Sequence, residues 1–339
     1  MIVAFHSLAF LLEAPLLAWS EQVRARWFSS ASLAVVALSA FAAAIVPNGW
    51  SLLLALAVYG PASGCALSVA EGLLVEAEPD ARERTMARLS LAANAGDLAV
   101  PLLLVMLSWW GLGWRVGFEV AGAFAALLAI VHATAPDLDG ASSGAGDDAE
   151  GPAPTLREAL GLALSTRPLL GWSLACATTG LLDEVLVAFS AVHLHALGAT
   201  VGERSWAIAA WVVGGFVGLA GLERASGRAS VRGLLIGASA STAVAVVVLA
   251  VTHSPHVGTC ALFLIGLTGS TLHPLTKAQA YAALPHRPAL VNAVGSALLP
   301  FDMAAPVVLG IVAAQAGSAW AIVGLLVAPA GVALATWWL

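Results

Sequence analysis

The chain has 339 residues, of which 60% are apolar and only 10% charged, with a mean hydropathy of +0.91 and a formal net charge of −6. Soluble globular chains hold roughly 45–50% apolar residues, so this composition excludes a water-soluble fold and places the chain in a bilayer, which takes about twenty apolar residues per crossing. The apolar runs are continuous rather than alternating, which excludes a membrane β-barrel.

Eleven apolar runs follow one another, roughly 1–19, 27–46, 50–75, 88–109, 113–134, 168–195, 205–222, 231–252, 257–281, 289–314 and 318–338. A backbone in hydrocarbon must satisfy its own hydrogen bonds, so each run is expected to be a helix. The opening residues, "MIVAFHSLAF", lack the basic flank and cleavage site of a signal peptide. Cys65, Cys176 and Cys260 fall in separate apolar runs and read as small apolar fillers, not as a disulfide or metal set.

Polar turns between the runs carry the orientation signal. Arg24, Arg26, Arg82, Arg84, Arg88, Arg157, Arg167, Arg224, Arg228, Arg232, Lys277 and Arg287 fall on one side, and Arg115 and Arg204 on the other. The rich side is expected to be cytoplasmic, with the C-terminus inside and Met1 outside the cytoplasmic (inner) membrane. Residues 137–159, acidic and rich in Gly, Ser and Pro, read as a cytoplasmic linker. It separates a bundle of five runs (1–136) from a bundle of six (160–339). Thr155 and Glu158 have capping-box spacing, which predicts a short surface helix before the sixth run.

The two bundles repeat. "GDLAVPLL" (96–103) and "FDMAAPVV" (301–308) each place an aspartate four residues before a proline, and Gly60/Gly266 and Trp114/Trp320 keep nearly the same offset. A repeat of about two hundred residues predicts parallel, pseudo-symmetric halves. Under that offset the sixth run has its partner upstream of Met1, so the first bundle is expected to be short by its leading helix, with the start of the true protein, or of its immediate ancestor, about forty residues earlier.

Acids concentrate in these runs: Glu13, Glu71, Asp97, Glu119, Asp183, Glu184 and Asp302. A charge at mid-bilayer costs about 2.5–3.5 kcal/mol on the insertion scale. Such acids are expected either to carry protons or to face a wet cavity and hold a solute. Asp97 and Asp302, near mid-run, are the leading candidates, with Pro101 and Pro306 as hinges. The bland alternative is a carboxyl capping its own kinked helix. Asp183 and Glu184, adjacent on one run, point about 100° apart in a helix, so at most one is expected to line a cavity. Glu13 is intermediate in depth, and Glu71 and Glu119 lie nearer the interface. His273 could join a proton relay, though a buried histidine often only packs. Asn94 could bind solute or join helices. No metal set, nucleophile–base pair or phosphate loop marks an enzyme, and no cofactor or nucleic-acid partner is expected. The expected partners are a small solute, protons and lipid.

Two bundles joined by a cytoplasmic linker resemble the major facilitator superfamily of transporters, over the whole chain less the family's first helix. The family's loop motif, Gly-x-x-x-Asp-Arg-x-Gly-Arg-Arg, is similar to "SEQVRAR", with Glu21 and Arg26, and more closely to "LERASGR", with Glu223, Arg224, Gly227 and Arg228. The resemblance implies a gate role for these residues; the same charges also serve as a topology signal. The arginine usual in the family's fourth helix is Leu56 here, and Val100 replaces the glycine of its antiporter motif, leaving the direction of flux open. The resemblance implies a secondary transporter that rocks two bundles around a midplane site, and the acids in the apolar runs suit a proton- or cation-linked carrier. The alternative is a receptor or assembly subunit that keeps the fold without transporting.

Overall fold

Lipid offers a backbone no water to bond, and this chain meets that condition with helices alone: among the described residues there is no strand. A computed structural model describes residues 12–134 and 156–339. Within them nine stretches are long and apolar enough to cross a membrane, and Ala304–Ala316 is a shorter apolar helix. The protein is an all-α polytopic membrane protein. Exposed tryptophans cluster at helix ends, among them Trp27, Trp50, Trp109, Trp114, Trp206 and Trp338, where amphipathic rings suit a membrane–water boundary.

Two compact units divide the chain. The first holds α1 (Glu13–Ser20), α2 (Ala25–Ile45), α3 (Gly49–Ala77), the later part of α4 (Arg82–Trp109), α5 (Trp114–Thr134), α6 (Leu156–Ser165) and α13 (Pro288–Ala297). Its core is built from small residues, which let helix backbones approach. Ala37 and Phe41 on α2 close on Gly122 of α5, where a methyl group would meet the Ala37 carbonyl at 3.2 Å. Ser30 Oγ donates to the Ala129 carbonyl at 2.8 Å, and Ser29 Oγ pairs with His132 Nδ1 at 2.9 Å. The expected surface helix before the sixth run is α6, packed on α1 and α13. Thr155 and most of the 137–159 linker lie outside the described residues, as do residues 1–11 of the first run.

The second unit holds residues 80–94, which include the first part of α4, then α7 (Arg167–Thr179), α8 (Glu184–Ala196), α9 (Val201–Ala225), α10 (Val231–Val251), α11 (Pro255–Gly269), α12 (Leu272–Ala283), α14 (Leu299–Ala316, from Pro300), α15 (Ser318–Gly324) and α16 (Val327–Trp338). Glycine governs its tightest contact. Gly214 and Gly218 of α9 face Gly266 and its neighbours on α11 so closely that an added methyl would collide with backbone. Thr200 and Glu203 form a complete capping box at the start of α9. Thus α4 contributes to both units, and residues 284–299 pack with the first unit although they lie within the second bundle in sequence.

Four runs expected as single helices are interrupted, each for a local reason. The run 168–195 breaks at a 3₁₀ turn, Gly180–Leu182, where Thr178 and Thr179 hydroxyls donate back to the Ala175 and Cys176 carbonyls at 2.7 and 2.6 Å. The run 257–281 breaks at Ser270–Thr271. Pro274 supplies no N–H to the Ser270 carbonyl, and Thr271 tightens to a bond with the Thr268 carbonyl. The run 289–314 breaks at Leu298, just before Pro300, and 318–338 breaks at Leu325–Leu326, where bonding again tightens to three residues back. Asp183 is consequently not a helical neighbour of Glu184: it is the non-helical residue between the 3₁₀ turn and α8, with φ −111° and ψ −114°.

Candidate functional site

Among the described residues the most buried acid is Glu13, in the first turn of α1 and only 6% exposed. Its Oε1 accepts from Ser296 Oγ of α13 at 3.0 Å and, more weakly, from Ser68 Oγ of α3 at 3.4 Å. The carboxylate lies flat against Gly64, where any side chain would collide with it. Asn292, one helical turn before Ser296, donates from Nδ2 to the Ser68 carbonyl at 2.9 Å. Three helices distant in sequence therefore meet around one carboxyl. Such a site can hold a proton or a hydrogen-bonding solute, because hydroxyls adapt to either charge state of the acid.

A second polar cluster forms in the other unit between α7 and α12. His273 Nδ1 lies 3.2 Å from Thr179 Oγ1 and 3.5 Å from Cys176 Sγ. Thr276 and Lys277 follow one turn on, and the Lys277 ammonium lies 5.8 Å above the Tyr281 ring. His273 itself is exposed, immediately after the Ser270–Thr271 break. Nearby on α4, the Asn94 amide comes up against Gly215 of α9, whose carbonyl accepts from Ser270 Oγ at 3.4 Å. A partly unwound helix beside an imidazole, a thiol and hydroxyls offers both donors and acceptors to a polar solute.

The loop charges are engaged as follows. Glu21 in the first unit pairs with Arg287 at 3.9 Å, and Arg26 stacks over Trp27 at 4.8 Å. In the second unit Arg88 Nε donates to Glu223 Oε1 at 2.8 Å, Gln279 Nε2 to Glu83 Oε1 at 3.1 Å, and Gly227 turns the chain with φ +80° before Arg228. Arg224 donates to the Ala220 carbonyl at 2.9 Å.

The remaining predicted residues are placed differently. Asp97 is exposed in the first unit, on a stretch of α4 that runs on as helix through Pro101. Asp302 lies in the first turn of α14 in the second unit, four residues before Pro306, which sits inside that helix. Asp183, Glu184 and Glu119 are exposed, and Glu71 is half-buried. His193 is buried against Ser318 while His195 faces outward. Sequence reading passed over Ser68, Ser296 and Thr179, took Cys176 as an apolar filler, and used Arg84 and Arg88 only as orientation signals. The available signal was spacing: Asn292/Ser296 and Gly64/Ser68 at four residues, Cys176/Thr179 at three, each stripe on one helix face.

A family model described as the Major Facilitator Superfamily matches residues 1–299. No curated protein matches the chain. Among solved structures, the fold is similar to a variant of the E. coli fucose:proton symporter FucP, at 15% identity and TM-score 0.78, covering 99% of this chain and 90% of that one. It is also similar to FucP in the outward conformation, at 14% identity, TM-score 0.74, and 98% and 89% coverage. The human organic anion transporter TETRAN aligns at 17% identity, TM-score 0.73, and 98% and 81% coverage. At such identities the likeness speaks for the fold.

Proposed function

This chain belongs to the Major Facilitator Superfamily, a family of transporters rather than enzymes, and from that premise we propose that it moves a small polar solute across the cytoplasmic membrane by alternating access, coupled to protons. The observation that carries the proton reading is Glu13: a carboxyl buried among Ser68, Ser296 and Asn292, at a meeting of helices that separate parts of the chain supply. Opening those helices would hydrate the acid and ease its ionisation, and closing them would favour its protonated form. Solute contact is assigned to the His273 cluster and Asn94, with Asp183 and Glu184 at the helix break. Asp97 and Asp302 are proposed as further acids on the path, beside Pro101 and Pro306 as bending points. Glu21, Arg26, Glu223, Arg224, Gly227 and Arg228 are assigned to the gate at the arginine-rich end, taken as cytoplasmic from the loop charges. The relatives named above include a sugar symporter and an organic anion transporter, so the solute must come from the site and not from the fold.

The test begins with a solute panel screened by thermal stabilisation, followed by reconstitution into vesicles with a pH-sensitive dye inside. Glu13→Gln is expected to abolish solute-driven proton movement while leaving solute exchange intact. Asp97→Asn and Asp302→Asn are expected to reduce proton-linked flux in the same assay. Proton movement at the wild-type rate in Glu13→Gln would remove Glu13 from the mechanism, and stabilisation without any flux in the wild type would favour a receptor.

A further inference from the structure

One cavity, beside the residues assigned to the gate, has a composition that gating alone does not require. It measures about 250 Å³ and is lined by Arg84, Arg88, Glu223, Arg224 and Arg228, all within the second unit. That is below the ~300–1,000 Å³ of sites that enclose whole small molecules, so the space suits a single charged group. Arg84 and Arg88 stand four apart on one face of α4, and Arg224 and Arg228 four apart across the turn that Gly227 makes after α9. Four guanidiniums thus converge on one carboxylate. Only Arg88 is neutralised by it, at 2.8 Å. Arg84 donates to the Ser226 carbonyl at 3.4 Å, Arg224 to that of Ala220 at 2.9 Å and Arg228 to that of Arg224 at 2.8 Å.

A carbonyl accepts a bond but carries no charge, so among the residues lining this cavity four guanidiniums share the single negative charge of Glu223. Each guanidinium has five N–H donors in a rigid fork, and Arg84, Arg224 and Arg228 each spend one on a carbonyl, leaving the others for a common acceptor. A plain charge-pair latch would need acids and bases in comparable number; this arrangement has a surplus of bases around an open volume. An oxyanion with several acceptor oxygens removes the repulsion and takes up the donors, and phosphate matches arginine forks in both geometry and charge.

We propose that this cavity is a phosphate-binding site, taking a phosphate-bearing anion that ties the first turns of α4 to the α9–α10 turn. Either an anionic lipid headgroup or a soluble phosphate compound supplies that chemistry. The inference rests on the packing of one unit and does not depend on which solute is carried.

Thermal unfolding of the full chain separates the sources. In neutral detergent, pyrophosphate is added against sodium chloride of equal ionic strength; in parallel, nanodiscs of phosphatidylcholine are compared with nanodiscs containing phosphatidylglycerol. A rise with pyrophosphate identifies a soluble occupant, and a rise with phosphatidylglycerol alone identifies lipid. Arg224→Gln with Arg228→Gln is expected to weaken the effective ligand by at least ~10-fold, since bonds to charged groups are each worth that much or more. Arg84→Gln alone serves if the pair does not fold, and Arg232→Gln, outside the cavity, is expected to leave the shift unchanged. Glu223→Gln, which removes the competing carboxylate, is expected to tighten binding. No rise in either arm, a chloride effect equal to that of pyrophosphate, or a full shift retained in the Arg224/Arg228 variant would overturn the proposal.

Discussion

At the scale of residues, the two most informative positions are Gly64 and Glu21. Gly64 leaves room for the Glu13 carboxylate, and a Cβ there would overlap it. Gly64→Ala must therefore push Glu13 off Ser296, leaving buried polar groups short of partners at about 1–3 kcal/mol. The expected outcome is a lower unfolding temperature together with lost proton coupling, measured in the same preparation. Glu21 lies in the turn between α1 and α2, where burial pushes its carboxyl above the usual 4.5. The Arg287 guanidinium, 3.9 Å away, pulls it back down in part, and Glu76 adds a little upward. A carboxyl raised in the folded state binds its proton more tightly there than in the unfolded chain. Its contribution is then fully present below the unfolded value and is lost as pH rises through the folded one. Glu21→Gln is expected to flatten that component. Unfolding temperatures of wild type and variant, compared across the acid range, should converge at low pH and separate as pH rises, with the variant the more stable.

At the scale of elements, the α9–α11 contact shows why glycine recurs in these helices. Without a hydrophobic drive between helices in lipid, close backbone approach supplies the attraction. Gly214, Gly218 and Gly266 permit it, each facing main chain with no gap for a methyl. Gly218→Leu is expected to part the two helices and destabilise the second unit by about 1–3 kcal/mol, the usual cost of overpacking, read as a drop in unfolding temperature without loss of helix by circular dichroism. The interrupted helices belong to this scale too. Pro274 and the hydroxyls of Thr178 and Thr179 divert backbone bonds close to His273 and Thr179, so the helix breaks fall beside that polar contact.

At the scale of the whole molecule, α4 is the element that joins transport to packing, because its first part belongs to one compact unit and its later part to the other. The Arg88–Glu223 pair is 54% and 30% exposed, so water screens it and its own contribution to stability is small. A latch of that size hardly alters stability yet shifts a two-state balance several-fold. Arg88→Glu is expected to leave the unfolding temperature nearly unchanged while altering flux, and Arg88→Glu combined with Glu223→Arg to restore it. A double-mutant cycle on transport rate measures the coupling.

What the sequence determined by itself is the class of protein: unbroken apolar runs can only be helices in lipid, and the loop motifs resemble those of one transporter superfamily, a membership the family match bears out. The loop residues Glu223 and Gly227 were legible because a turn motif is local. The Glu13 cluster was not, since it joins positions 13, 68, 292 and 296, and no local pattern encodes which helix faces which. Nor could composition tell a buried acid from an exposed one: Glu13 is enclosed while Asp97, on an equally apolar run, is exposed. Burial is a property of neighbours brought together by packing, and packing is decided only when the whole chain closes around its small residues.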